Sequence, residues 1–545
     1  MSGVRWRLLL ALLVCSSPAF AQTAPETFAA RLGELREASF ADKERIATAL
    51  IESREPRAHD VLTALLDDRL FVRTADARVF VVKPAAEEAP SLDLVDPVTG
   101  KAAGQAPRDS LEKIGTNNRL RKTLRVALAR FDLTNADASV RLAAVTEMLR
   151  SLDEGSVELL KERAPVETDR RVRAEIETGL ALSALDGSDR AARLSGIDLL
   201  AGRPKAQVRN RLAALLDRNA DGSFVEPDDA MRAAAQKALS RIDRALTMYG
   251  GVETLFFGLS LGSVLVLAAI GLAITFGVMG VINMAHGELM MLGAYTTYVV
   301  QLLMPGHLGV SILVAVPAAF VVTGLAGVVL ERCVIRFLYG RPLETLLATF
   351  GVSLVLQQLV RSIFSANNRD VATPSWMSGT LQLNDALAVT YNRLYIVVFT
   401  MIVFAVLVAV LKHTRLGLEI RAVSQNRTMA RAMGIRSEWV DAMTFGLGAG
   451  IAGVAGVALS QLTNVGPNLG QSYIIDSFMV VVFGGVGNLW GTLIGGMSMG
   501  IVDKLLEPYA GAVLGKIFVL IAIVLFIQGR PRGLFPQVGR AADNA

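Results

Sequence analysis

Cysteine is almost absent from this chain: Cys15 and Cys333 are the two among 545 residues. One sits in the N-terminal leader and the other beside an apolar run, which excludes a disulfide framework or a thiolate metal site. Histidine is as scarce, and His59, His286, His307 and His413 fall into no zinc-ligand spacing. No metal, cofactor or metal catalysis is expected. Aromatic residues make up 6% and never interleave with a basic stripe, so no nucleic-acid partner is expected either. An ATP-binding loop is also missing. Gly511-Ala-Val-Leu-Gly515-Lys516 has one residue too few between its glycines, and Ile517 stands where Ser or Thr would hold magnesium.

Charge is missing from half of the chain. Residues 22–250 are dense in Arg, Asp and Glu, whereas 251–545 confine charge to short connecting segments. Hydrophobic residues reach 52% and the mean hydropathy is +0.44, too apolar for a wholly soluble protein of this length. The split implies a soluble part followed by a membrane part, and the net charge of +5 suits cytoplasmic loops rich in Arg and Lys. At the N-terminus, Arg5 and Arg7 precede the apolar run Leu8–Val14, and Ala19-Phe20-Ala21 fits a small-x-small cleavage pattern. Residues 1–21 are read as a signal peptide, with lipidation at Cys15 as the alternative. The chain would then begin outside the cytoplasm.

In residues 22–110, Phe28, Leu32, Leu35, Ile46 and Leu50 recur at helical spacing. Leu70–Val82 alternates like a short hairpin, and the proline-rich stretch 83–110 reads as a loop or a second small hairpin. Over 111–246 a pattern repeats: Ala138-Ser-Val140-Arg141, Arg170-Arg-Val172-Arg173, Ala206-Gln-Val208-Arg209 and Asp229-Ala-Met231-Arg232, each before an Ala/Leu-rich helix. Stacked helix pairs bury faces that one pair cannot, so these units resemble HEAT-type repeats; a generic helical bundle is the plainer alternative. Asp217, Asn219, Asp221 and Gly222 match part of a calcium loop, but position 12 is Asp228 rather than Glu, which favours a solvated loop.

Apolar stretches near 255–279, 281–303, 308–330, 344–364, 394–411, 441–463, 473–503 and 512–528 approach the roughly 20 residues a helical span needs. Gly484-Gly485-Val486-Gly487-Asn488 breaks the 473–503 stretch. Arg332, Arg336 and Arg341 share one loop; Lys412, Arg415, Arg421, Arg427, Arg431 and Arg436 fill another; Arg530, Arg532 and Arg540 mark the tail. Placing all three in the cytoplasm with residue 250 outside requires an odd number of crossings, which predicts nine if 473–503 crosses twice.

Inside the second stretch lie Asn283, His286 and Glu288. Ionisable and amide groups are costly at membrane depth, so a polar path for a small uncharged solute is one reading; for Asn283 the other is a helix cap. Gln357 and Gln358 sit mid-span, where facing a lumen and bonding between helices are both open. The glycines at 446, 448, 450, 453 and 456 pack helices closely. Between spans, Thr428–Met433 reads as a short helix stopped by Gly434, presenting Met429, Ala432 and Met433 to a partner's groove; the alternative is a solvated basic loop.

The order Gly271…Thr275-Phe276-Gly277…Gly280-Val-Ile-Asn283-Met-Ala-His286-Gly-Glu288…Gly293-Ala-Tyr295 closely resembles the first signature of LivH-like permeases, the branched-chain amino acid/amide class of ABC importers. Glu331-Arg332…Arg341-Pro342-Leu343, the loop Arg427–Ile435 and Val482-Phe-Gly484-Gly485-Val-Gly487-Asn488 resemble the same family, over about 255–535. Asn367-Asn-Arg-Asp-Val-Ala-Thr-Pro374-Ser-Trp376, the ending Phe526–Phe535 and the long N-terminal extension look like the urea-transporter permeases of that class.

The resemblance implies an all-α, polytopic transmembrane permease carrying an extracytoplasmic HEAT-like domain, in a bacterial inner membrane. Its permease domain would cover 251–535 and its cytoplasmic tail 536–545. It implies urea as solute, with a branched-chain amino acid or short amide as alternative. It also implies a second permease subunit, two cytoplasmic ATPase subunits, a periplasmic substrate-binding protein and contact with membrane lipid. Arg427, Met429, Ala430, Ala432, Met433, Gly434 and Ile435 would form the ATPase-coupling loop. Rivals of other classes are a stand-alone channel or ion-driven carrier, and a membrane-anchored scaffold.

Overall fold

The computed structural model describes residues 24–36, 38–52, 55–83, 91–150, 152–384 and 386–535. The signal-peptide reading of 1–21, with Cys15, and the tail 536–545 lie outside them. Two compact units divide the chain, one ending at Asp243 and the other beginning at Arg244.

The first unit opens with α1 (Ala24–Glu34), α2 (Phe40–Glu52) and α3 (Pro56–Leu66). Phe28, Leu32, Leu35, Ile46 and Leu50 all fall in its core with Leu62, Leu65 and Leu124. Five strands follow: β1 (Leu70–Arg73), β2 (Val79–Val82), β3 (Ser91–Val95), β4 (Ala102–Pro107) and β5 (Leu111–Lys113). They form one antiparallel sheet in the order β4-β3-β2-β1-β5, with Phe71 opposite Phe80 and Leu94 opposite Gly104. The N-terminal half is therefore not purely helical. Two hairpins and an edge strand unite because Phe80, Val82, Leu92, Leu94 and Ala106 close a second small core.

The remaining helices of this unit are α4 (Asn118–Asp132), α5 (Ala138–Arg150), α6 (Glu154–Arg163), α7 (Arg170–Ala184), α8 (Arg190–Leu200) and α9 (Ala206–Ala214), followed by the start of α10 (Asp229–Met279). The four repeated motifs begin α5, α7, α9 and α10. Asp153, Asp169 and Asp189 cap α6, α7 and α8 by accepting from first-turn amides. Arg141 of the first motif donates to both carboxylate oxygens of fully buried Glu167, at 2.9 and 2.8 Å, and Arg163 donates to Glu167 at 3.0 Å. These bonds, that to Arg141 foremost, hold the Glu167 carboxyl down at about 2. In the 217–228 loop, Asn219 pairs with Ser223 and Glu226 is taken by Arg193. Among the described residues no His/Cys/Asp/Glu group could hold a metal ion.

The second unit contains the rest of α10, then α11 (His286–Leu303), α12 (Leu308–Cys333) and α13 (Pro342–Phe364). A hairpin of β6 (Thr380–Asn384) and β7 (Leu387–Thr390) leads to α14 (Tyr391–His413). After it come α15 (Arg415–Gln425), α16 (Arg427–Ala432), α17 (Ser437–Ser460), α18 (Leu469–Gly484) and α19 (Leu489–Gly529). Six of these helices, α10, α12, α13, α14, α17 and α19, are long and apolar enough to cross a membrane. Gly511, at φ 76°, breaks α19 into two arms. A Cβ on Gly515 would lie 3.9 Å from the Asp503 carbonyl oxygen, so the second arm folds back along the first. With α11 and α18, which are shorter, the described residues hold nine apolar segments.

At the centre is α17, buried almost all round, as a helix enclosed by protein must be. Its glycines permit this: a Cβ on Gly293 of α11 would collide with the Gly453 backbone. Around it, α12, α13, α14 and both arms of α19 turn large apolar side chains outward, among them Leu325, Val329, Leu347, Val355, Ile402 and Leu525. Lipid or further subunits can cover such faces.

Candidate functional site

The polar residues of the second apolar stretch sit where a helix begins at depth. Gly280, at φ +66°, ends α10, and residues 281–285 are not helical. His286 opens α11, and its Nε2 lies 2.9 Å from the Ala268 carbonyl oxygen. Ala268 is about three turns, roughly 16 Å, before the end of α10. The linker thus doubles back, and α11 starts beside the middle of α10. Asn283 Oδ1 accepts from the Ala285 amide at 3.0 Å, closing a turn ahead of the helix, and Thr349 of α13 accepts from the Met284 amide at 3.1 Å.

Glu288 points toward α13. Its Oε1 accepts from Ser353 at 3.0 Å and from Gln357 at 2.7 Å, with the carboxyl 1% exposed. Asn283, His286, Glu288 and Gln357 are all buried. Asn283 Nδ2, His286 Nδ1 and Glu288 Oε2 are buried with no hydrogen-bond partner. Unsatisfied polar atoms at this depth are expensive, and their concentration in one place marks a functional region. His286 and Glu288 nevertheless leave α11 toward different neighbours, so the structure does not bring them together. Gln358 is exposed, on the opposite side of α13 from Gln357.

A second half-length helix meets this one. Gly470, in the first turn of α18, packs against Gly287 so closely that a Cβ on either would strike the other's backbone. The N-terminal ends of α11 and α18 therefore abut, and each carries a partial positive charge. Arg361, in the last turn of α13, donates from Nη2 to Asn468 Oδ1 at 2.7 Å. Thr349, Ser353, Arg361 and Asn468 escaped the sequence reading. The available signal was the i, i+4 series Thr349, Ser353, Gln357, Arg361, one polar row along an apolar helix.

The loop from Arg427 to Ile435 holds α16. Asn426 caps it by accepting from the Met429 amide at 3.0 Å, and Gly434, at φ +87°, stops it. Met429 is 59% and Met433 79% exposed, Ala432 is exposed as well, and Ala430 points inward against Ile420, Val423 and Val440. Arg427 forms an ion pair with fully buried Asp441 of α17 and stacks over the Tyr339 ring. Tyr339 in turn donates to Glu331 Oε1 of α12 at 3.3 Å. The short helix is thus tied to two long ones by charge as well as by packing. Beside it, Arg332, Arg431, Arg436, Glu438 and Trp439 help to line an open groove of about 790 Å³.

Residues 254–527 match the family model described as "Branched-chain amino acid transport system / permease component". The high-affinity branched-chain amino acid transport system permease protein LivH of Salmonella typhimurium is 31% identical over 300 residues, covering 53% of this chain and 96% of the relative. The corresponding permease protein BraD of Pseudomonas aeruginosa is 29% identical over 303 residues, 53% of this chain and 98% of the relative. A shorter similarity, 29% over 136 residues, links the chain to the ribose import permease protein RbsC of Escherichia coli. No solved structure matches. Since the match spans nearly the whole of LivH and runs through the depth-starting helix, the polar row and the Arg427 loop alike, the chain belongs to the branched-chain amino acid transport permease family.

Proposed function

We propose that this chain is one of two permease subunits of an ATP-driven importer, and that the solute is a branched-chain amino acid. The observation that carries this reading is end-to-end similarity to LivH, a branched-chain amino acid permease protein, at 31% identity. The polar row of α13 and the unpartnered atoms of Asn283, His286 and Glu288 lie on or just beneath the translocation path, where they replace part of the solute's water shell. Nine crossings put Arg332, Arg336 and Arg341, the α15–α16 loop and Arg530 in the cytoplasm, and residues 365–390 and 461–468 outside. In-chain contacts agree with that arrangement. Arg336 pairs with Glu438, and Arg369 pairs through its backbone with Val465.

Hydrolysis takes place on separate cytoplasmic ATPase subunits, two per transporter, and a periplasmic binding protein delivers the solute. Met429, Ala432 and Met433 of α16 seat in the ATPase groove, and the Arg427–Asp441 pair carries its movement into α17. One observation favours a second solute. The matches to the branched-chain permeases leave the first unit uncovered, and such an extension is what the resemblance to urea permeases rests on. Deleting the gene and measuring uptake of leucine and of urea at low concentration separates the two. Loss of leucine uptake alone is expected; loss of urea uptake with leucine unchanged replaces the solute, and no change in either defeats the permease reading.

A further inference from the structure

We infer that Arg361 and the first turn of α18 form a binding site for the carboxylate of the transported solute, which rests on the amino-acid reading above. Asn468 is the residue that should cap α18, yet no side chain caps that helix. Its Oδ1 accepts from Arg361 instead. An N-cap acceptor normally satisfies an amide of the first turn, and here it is drawn off to hold a guanidinium. The result is an arginine fixed at the positive end of a helix whose first amides lack their usual partner.

The charge balance points the same way. Among the described residues no carboxylate forms an ion pair with Arg361. Glu288 is close enough to act on it, but the Glu288 carboxylate is committed to Ser353 and Gln357 beneath the surface. Gln358 and Ser362, three residues before and one after Arg361, are exposed, as are Gln471 and Ser472 on α18. Amides, hydroxyls and a guanidinium thus share one open patch between two helices that are otherwise apolar outward. Such a patch is costly against lipid and favourable against water and a carboxylate, which an arginine fork binds with two charge-assisted hydrogen bonds. Urea has no carboxylate, so this site selects between the two proposed solutes.

The test uses the complete transporter in proteoliposomes of zwitterionic lipid, with ATP inside and the binding protein outside, and follows labelled leucine. Arg361→Gln is expected to slow uptake at subsaturating leucine by about tenfold or more, while Arg361→Lys retains a substantial part of the rate. The deciding variant is Asn468→Asp. A new carboxylate beside Arg361 would strengthen a purely structural contact, leaving uptake at or above wild type; as an occupant of a carboxylate site it must lower leucine uptake as far as Arg361→Gln does. Basal ATP hydrolysis and the yield of assembled complex stay unchanged in all three. Wild-type leucine uptake together with normal uptake by Asn468→Asp overturns the site and spares the permease. A wild type that carries urea and not leucine overturns the amino-acid reading and the site together. Loss of uptake in Arg361→Gln that anionic lipid restores shows a headgroup anchor and also overturns the proposal.

Discussion

Two buried carboxylates show how differently one residue type is used in the two units. Glu167 is fully buried and doubly held by Arg141, with Arg163 and two backbone amides completing its bonds. Removing one partner of such a pair costs about 3–5 kcal/mol, because a charge is left uncompensated. Glu167→Gln should therefore lower the unfolding midpoint of the first unit at pH 7. The folded carboxyl titrates at about 2 against an ordinary 4.5. Its stabilisation is complete above 4.5 and lost as the pH falls toward 2, so wild type and variant should converge in thermal unfolding at pH 2–3. Equal midpoints at pH 7 would refute the assignment. Glu288 has half its carboxylate satisfied and half unpartnered. Gln357→Leu removes its 2.7 Å donor and should cost stability, about 1–3 kcal/mol, together with transport. The neighbouring exposed Gln358→Leu should slow uptake with stability within about 0.5 kcal/mol of wild type. If both variants unfold alike and transport alike, the division of α13 into an inner and an outer polar face is wrong.

At the scale of elements, α16 is small enough to be judged by what it exposes. A six-residue helix has little stability alone, and this one stands because Asn426 and Gly434 bracket it and Arg427 anchors it to Asp441. Met429 and Met433 contribute almost nothing to the fold at 59% and 79% exposure. Replacing both with serine should leave thermal stability unchanged while abolishing solute-stimulated ATP hydrolysis by the assembled complex; unchanged stimulation would move the docking surface elsewhere. Much of this architecture was legible in the sequence, since apolar runs, arginine-rich loops and the glycine break at 484–488 are local signals. The short helix was expected at Thr428–Met433 and forms at Arg427–Ala432, one residue earlier, because Asn426 rather than Arg427 supplies the cap. Three features were not legible. The edge strand β5, Leu111-Glu-Lys113, is too short to show a period and exists only through pairing with β1. Periodicity gives the length of α11 but not its depth, which the His286–Ala268 contact sets. Arg361 and Asn468 are 107 residues apart, and no spacing rule spans that distance.

Across the whole molecule the question is what the first unit adds. LivH is matched over 96% of its length without it, so a transport pathway of this family does not require it. The unit has its own cores, its own sheet and its own buried ion pairs, which argues for a separate job rather than support for the spans. With the chain entering from outside the cytoplasm, that job falls where the binding protein arrives. A chain lacking residues 22–228, behind an unchanged leader and with all of α10 kept, should assemble with its partners and still import solute. Its maximal rate should remain within a few-fold of the intact transporter, while the concentration of loaded binding protein needed for half-maximal uptake rises about tenfold, a loss of about 1.4 kcal/mol of association energy. An unchanged half-saturation would detach the unit from solute delivery. Complete loss of uptake with normal assembly would mean that the spans alone are not the transport machine, and that the soluble half belongs to the pathway itself.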